Sequence, residues 1–278
     1  METKLNRREM IGALAALSAT GVAGAQESAS TASESPASRT GPRNLITDVD
    51  GLQVGQSQSD HIRTGVTVIL PDEAAVAACD IRGGGPATRE TDVLRPENLV
   101  QEVDGIVLSG GSVYGLASAD GVSAWMGARD RGFTFRPTPG IPPSPILPTA
   151  CLYDLANGGD KGWGESPPYR DLGVEAVEAA GKDFALGTAG AGYGANAGGL
   201  KGGIGSASAV STDGITVGAI TAVNSMGSAI APGGKQFWAA PFEIGEEFGG
   251  LGSSGLAAGP EDYSPAMRPR TNTTPVSY

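Results

Sequence analysis

Gly65-Val66-Thr67-Val68 alternates between faces, and the run then turns wholly apolar through Ile69 and Leu70 before stopping at Pro71-Asp72-Glu73. That pattern predicts a strand ended by a turn, and the apolar run Ala74 to Cys79 that follows predicts its hairpin partner. Cys79, at the end of that partner, reads as a small core residue. Gly105-Ile106-Val107-Leu108 predicts a further strand, and Ile215 to Val223 a buried one. Two helices are expected between them: Ala117 to Arg131, with Ala119, Val122, Ala124, Trp125 and Met126, and the shorter Leu172 to Ala180. Proline recurs so densely from Pro137 to Pro148 that helix and central strand are both excluded there. Strands, then helices, then strands again point to a layered α+β sandwich rather than a doubly wound parallel sheet.

Outside this patterned region the chain changes character. Lys4, Arg7 and Arg8 precede a mild, alanine-rich apolar stretch, Ile11 to Val22, and Ala23-Gly24-Ala25 reads as a small-residue cleavage site. The Arg7-Arg8 pair points to twin-arginine export, so residues 1–25 are expected to be a removed signal and the mature protein to lie outside the cytoplasm. The apolar stretch is shorter than the ~20 residues that a bilayer requires, which argues against a membrane anchor. Gln26 to Arg43 is rich in Ser, Ala, Thr and Pro and reads as a disordered linker. One domain is expected from Asn44 onward.

The formal net charge is −11, from 30 acidic and 19 basic residues, which argues against nucleic acid as a partner. Two cysteines, Cys79 and Cys151, do not make a disulfide framework, although a single bridge between them stays open. The one histidine, His61, sits in a polar stretch and reads as a solvated loop residue. No Cys/His or carboxylate cluster has ligand-like spacing, so neither a metal nor any other cofactor is expected. The same lone histidine makes a Ser-His-Asp triad improbable, and Gly111-Ser112-Val113-Tyr114-Gly115 places tyrosine where a nucleophile elbow needs glycine. Gly190-Ala191-Gly192-Tyr193-Gly194-Ala195 can be aligned on a dinucleotide fingerprint, but the glycine-rich residues after it cannot supply the helix that such a site needs.

The candidate chemistry lies where two apolar runs end in glycine. Asp80-Ile81-Arg82-Gly83-Gly84-Gly85-Pro86 follows one, and Ser109-Gly110-Gly111-Ser112 follows the other. Such clusters read either as tight turns or as bare backbone amides open to a substrate carbonyl, since glycine carries no Cβ. The polar, varied flank Arg82 to Asp92 favours the second reading, with Gly84, Gly110, Gly111 and Ser112 as substrate-binding positions.

These two segments, with Lys201-Gly202-Gly203-Ile204-Gly205-Ser206-Ala207-Ser208 and Val217-Gly218-Ala219-Ile220-Thr221-Ala222-Val223-Asn224, resemble the DmpA-like family. That family includes L-aminopeptidase/D-esterases, β-peptidyl aminopeptidases and nylon-oligomer hydrolases, which are self-cleaving N-terminal-nucleophile hydrolases. The likeness runs in order from Leu45 to Asn224 and more loosely to Thr274. It implies a four-layer αββα sandwich, a homo-oligomer, and a small peptide or amide as substrate.

Carried over position by position, the resemblance puts self-cleavage between Asn272 and Thr273 and makes Thr273 the nucleophile. A Thr at a chain start needs no histidine, because its own α-amine, with a reference pKa of about 7.7–8.0, accepts the hydroxyl proton. Asn224 corresponds to an oxyanion donor, and its other reading is a strand-end turn residue. Tyr153 corresponds to a tyrosine lining the site, and packing is its other reading. Two departures stand out. Gly199 occupies the place of a family lysine, and Pro275-Val276-Ser277-Tyr278 replaces the buried strand that opens the family's small subunit. On this reading residues 44–272 are a large-subunit-like domain and 273–278 a remnant of the small one, lacking what should hold the scissile peptide. The chain is therefore expected neither to process itself nor to hydrolyse amino-acid amides appreciably, and an inactive family member or a glycine-cleft binding module stays open beside the enzyme.

Overall fold

The computed structural model describes residues 38–257. Its centre is a five-stranded sheet. Strands β2 (Leu52–Ser59) and β3 (Thr64–Pro71) form a hairpin in full register from Leu52 opposite Pro71 to Ser59 opposite Thr64. The other edge of β3 pairs antiparallel with the strand that ends at the second glycine cluster, Ile106–Ser109. Ala74 to Cys79 therefore finds no place beside β3. Only β4 (Ala75–Val76) forms there, and it pairs with β6 (Glu102–Val103). Val76 is 81% exposed and Cys79 is exposed, so neither the expected hairpin nor the core role of Cys79 holds. The reason is competition: β2 gives β3 an eight-residue ladder, against which a short alanine run offers little cross-strand packing.

Strand β7 (Ile106–Ser109) lies parallel to β8 (Thr149–Cys151), and β8 is flanked in turn by β5 (Thr88–Arg89). A parallel pair needs a long crossover. Here it runs through a 3-10 helix (Ser112–Ala117), α1 (Ser118–Gly127) and the proline-rich stretch, which forms no helix. Helix α2 (Tyr169–Glu178) packs beside α1 on the same sheet face. Val66, Val68 and Leu70 of β3 meet Val122 and Met126 of α1 and Leu172, Ala176 and Val177 of α2. Burying each such side chain contributes about 1.5–3 kcal/mol.

The alternate residues of β3 face the other way and are buried too. Thr67 Oγ1 accepts the Ala191 N–H at 3.0 Å, which seats the 3-10 turn Gly190–Gly192 on the sheet. A Cβ on Gly192 would overlap the backbone of Gly203, so glycine is what lets this turn touch the start of the next strand. That strand, β11 (Ile204–Val210), pairs antiparallel with β12 (Thr216–Ala222) and with β1 (Arg39–Thr40) in a second sheet. β1 lies inside the stretch whose composition reads as linker. The structured domain thus begins before Asn44, and Asp48 ties the entry down by accepting from Arg43 N, Leu45 N and Ser208 Oγ.

The sequence predicts a buried strand from Ile215 to Val223, but none of these residues is buried and only alternate ones are partly covered. Ile215 and Val217 are 60% and 62% exposed because, among the described residues, β12 has a single hydrogen-bonded neighbour and one partly covered face. The architecture is α+β. A helix pair, the five-stranded sheet and the three-stranded sheet account for three of the expected layers, and no helix covers the outer face of β12 among the described residues.

Candidate active site

Strand β7 runs into a turn made of two consecutive left-handed residues, Gly111 (φ 83°) and Ser112 (φ 54°), before the 3-10 helix begins. A non-glycine residue in that region stores strain, and such strain gathers at functional sites. The direction of the amides here corrects the sequence expectation. Gly110 N donates to Gly65 O at 2.9 Å, and Ser112 N to Leu152 O at 3.0 Å. Gly111 N donates to Asp154 Oδ1 at 2.7 Å. All three amides are engaged inside the protein, because buried N–H groups must find acceptors and Gly110 and Gly111 are buried. They shape the turn and are not bare donors for a substrate carbonyl. Only the Ser112 residue is partly open.

Gly84 behaves differently. It is exposed, and a Cβ built on it would meet nothing within 4 Å. Its segment reaches the sheet only further on, where Cys151 N donates to Ala87 O at 2.9 Å.

Tyr153 and Asn224 are brought together from different sheets. Tyr153 lies just past β8 and Asn224 just past β12, and Tyr153 N donates to Asn224 Oδ1 at 2.9 Å. A backbone N–H can only donate, so the atom facing it must be the amide oxygen. The Asn224 Nδ2, with both its protons, is therefore turned away from Tyr153. Both residues are exposed, Tyr153 by 56%, so the phenol and the amide stand at the surface rather than in a packed core. The neighbouring Ser225 Oγ donates to Asn196 O at 2.8 Å, which ties this end of β12 to the hairpin of β9 (Asn196–Ala197) and β10 (Leu200–Lys201).

Beneath the turn lies a polar cluster that sequence reasoning missed. Asp154 is 2% exposed and accepts from Thr64 Oγ1 at 2.6 Å as well as from Gly111 N. Burial raises its carboxyl above the ordinary range, while the Thr64 and Gly111 hydrogen bonds and the Lys161 charge act against that rise. Lys161 donates to Ile62 O and, at 3.0 Å, to Asn157 Oδ1, and burial lowers its ammonium. Burial pushes the Cys151 thiol up to about 12 and raises the Tyr169 phenol. Among the described residues the Ser109 hydroxyl is buried without a hydrogen-bond partner. Nothing in Ala150-Cys151-Leu152-Tyr153-Asp154 announces a buried acid, since its partners stand 43 and 90 residues away in the chain.

His61 is exposed and pairs with Asp160 at 3.0 Å. Among the described residues no group of three or more His, Cys, Asp and Glu could hold a metal ion. Asn272 and Thr273 lie outside the described residues.

The two sheets of this α+β fold are thus joined, beyond the ends of β8 and β12, by the Asn224 side-chain amide. The chain belongs to Peptidase family S58, whose model matches residues 44–251. An uncharacterized aminopeptidase of Mycobacterium tuberculosis is 45% identical over 211 residues, which cover 73% of this chain and 59% of that one. A β-aminopeptidase from Burkholderia sp. superposes with a TM-score of 0.55 at 25% identity, over 69% of this chain and 55% of that one. The L-aminopeptidase D-Ala-esterase/amidase of Ochrobactrum anthropi, described as a new variant among the Ntn hydrolase fold, gives 0.53 at 22% identity over 69% and 56% of the two chains. This last likeness concerns the fold. The chain thus spans a little over half the length of these three proteins.

Proposed function

We propose that this chain carries the main part of an N-terminal-nucleophile aminopeptidase or amide hydrolase acting at the amino end of small peptides or related amides. The observation that carries the reading is the hydrogen bond from Tyr153 N to Asn224 Oδ1, which leaves the Asn224 Nδ2 protons free to meet an oxyanion. In the proposed sequence the Thr273 hydroxyl attacks the Asn272 carbonyl and the Asn272–Thr273 C–N bond breaks, which frees the Thr273 α-amine and leaves an ester; water then hydrolyses that ester, releasing the Asn272 carboxylate and the Thr273 hydroxyl. That amine then takes the Thr273 hydroxyl proton as the oxygen adds to a substrate carbonyl. Asn224 Nδ2 donates to the oxyanion so formed. The amine returns the proton to the leaving nitrogen, and water hydrolyses the acyl-enzyme. Tyr153 offers its phenol to the substrate, and Ser112 stands at the rim of the turn. Arg7-Arg8 and Ala23-Gly24-Ala25 support export, which would put this activity outside the cytoplasm, and the family resemblance supports a homo-oligomer.

The test uses the full chain. Intact mass after incubation shows whether segment 273–278 is released, and hydrolysis of amino-acid p-nitroanilides reports activity. Release and hydrolysis that both vanish in Thr273→Ala support the proposal, and Asn224→Ala should then lower kcat by about 100- to 1000-fold. A chain that stays intact and hydrolyses nothing refutes it and leaves the inactive or binding-module reading.

A further inference from the structure

The Asp154 carboxylate lies where three segments converge. Its Oδ2 takes the Thr64 hydroxyl at the start of β3, and its Oδ1 takes the Gly111 N–H in the turn after β7. A Cβ on Gly110 or on Gly194 would overlap this same carboxylate, so both backbones close around it only because they are glycine. Asn157, buried beside it, donates to Arg63 O and to Gly194 O, which braces the 190–195 segment onto the same place.

The consequence for the site follows from neighbours in sequence. Leu152 N donates to Ser109 O at 2.9 Å and Leu152 O accepts from Ser112 N at 3.0 Å. Asp154 holds Gly111 at 2.7 Å. The residues on both sides of Tyr153 are thus fastened to one turn, although β8 has already ended at Cys151. The Tyr153 peptide is left without freedom to rotate, and its N–H points at Asn224 Oδ1. Burying a carboxylate costs stability unless its lone pairs are satisfied. A carboxylate supplies what this place demands: two acceptor oxygens aimed in different directions, at a hydroxyl and at an amide.

We propose that Asp154 is a positioning residue: by gripping Gly111 and Thr64 it fixes the Tyr153 amide and thereby aims the Asn224 side chain into the site. This rests on the role given above to Asn224. Asp154 touches no substrate and acts through the Tyr153 peptide. Asp154→Asn can keep both hydrogen bonds, with its oxygen toward Gly111 N and its amide donating to the Thr64 oxygen. Asp154→Ala and Asp154→Leu keep neither.

Hydrogen exchange of the Gly111 and Tyr153 amides, read by NMR on the full chain, tests this without requiring turnover. Asp154→Ala should lose protection at both amides by about tenfold or more, and Asp154→Asn should restore most of it. Asp154→Leu, similar in volume, serves if the alanine variant does not fold. The Asn224 Nδ2 proton shifts should move in the variants that lose the bonds and stay close to wild type in Asp154→Asn. Unchanged Tyr153 protection in a folded Ala or Leu variant overturns the proposal, as does an equal loss in Asp154→Asn. A kinetic cycle adds the functional link. Asp154→Ala should lower kcat far more than it changes KM, and little further once Asn224→Ala is present, because residues acting through one group are not additive. Full additivity overturns the proposal. Should the wild-type chain hydrolyse nothing, the enzymatic reading fails while the exchange comparison still decides for or against Asp154.

Discussion

The two glycine clusters look alike as sequence and are opposites as structure. Gly83 to Gly85 stand in solvent, with room for a side chain on each. Gly110 and Gly111 are buried, with every amide from Gly110 to Ser112 engaged and no room for a Cβ. The difference teaches that glycine after an apolar run says where the chain turns and not which way its amides face. Facing is set by acceptors, and those of the second cluster come from Gly65, Leu152 and Asp154, each remote in sequence.

The sharpest way to break this comparison is one methyl group placed in each cluster. At Gly111 it must adopt φ 83° and overlap the Tyr169 ring, so Gly111→Ala is expected to destabilise by at least about 3 kcal/mol. Gly84→Ala should stay within about 0.5 kcal/mol. Chemical denaturation of both variants checks the pair, and similar losses would show that the clusters are equivalent after all.

The cysteines beside the two clusters give a second contrast. Cys79 is exposed, whereas Cys151 is partly buried with its thiol pushed up to about 12. At pH 8 that leaves roughly one Cys151 thiol in ten thousand ionised. Labelling with a thiol reagent in the native state is expected to modify Cys79 at least about 100-fold faster than Cys151. Equal rates would place the second cluster in solvent.

The smallest expected effect is a pH trend. Asp154 has its carboxyl raised above 3.8 chiefly by burial, so the folded state favours the protonated form. The associated stability is full below the unfolded value and is lost as pH rises through the folded one. Asp154→Asn cannot ionise and escapes that loss. Its melting temperature relative to wild type should therefore rise between pH 4 and 8, and a flat difference would mean that Asp154 titrates as an exposed acid does.

Much of the frame was legible in advance. The apolar runs at 65–70 and 105–108 become β3 and β7, and the two predicted helices appear within a few residues as α1 and α2. Proline density excluded helix from 137 to 148 for a local reason, the missing N–H and the fixed φ. Reading failed where pairing decides. The apolar run at 74–79 lost its place beside β3 to a longer partner, and 215–223 lies at an edge although its composition resembles that of a central strand.

Within the candidate site, motif resemblance singled out Asn224 and Tyr153, and the structure adds the bond that joins them. Asp154 was not legible, because a buried acid is recognisable only by its partners and Thr64 and Gly111 lie far along the chain. By itself the sequence determined the α+β class, the membership in Peptidase family S58, the places where the chain turns, and the residue types available for chemistry. All of these depend on periodicity, on glycine and proline backbone preferences, and on ordered motifs. Tertiary structure alone decided which amides point inward, which strand lies at an edge among the described residues, and which end of the Asn224 amide meets a donor. Those outcomes depend on hydrogen-bond partners and neighbours supplied by distant segments, and no local pattern contains them.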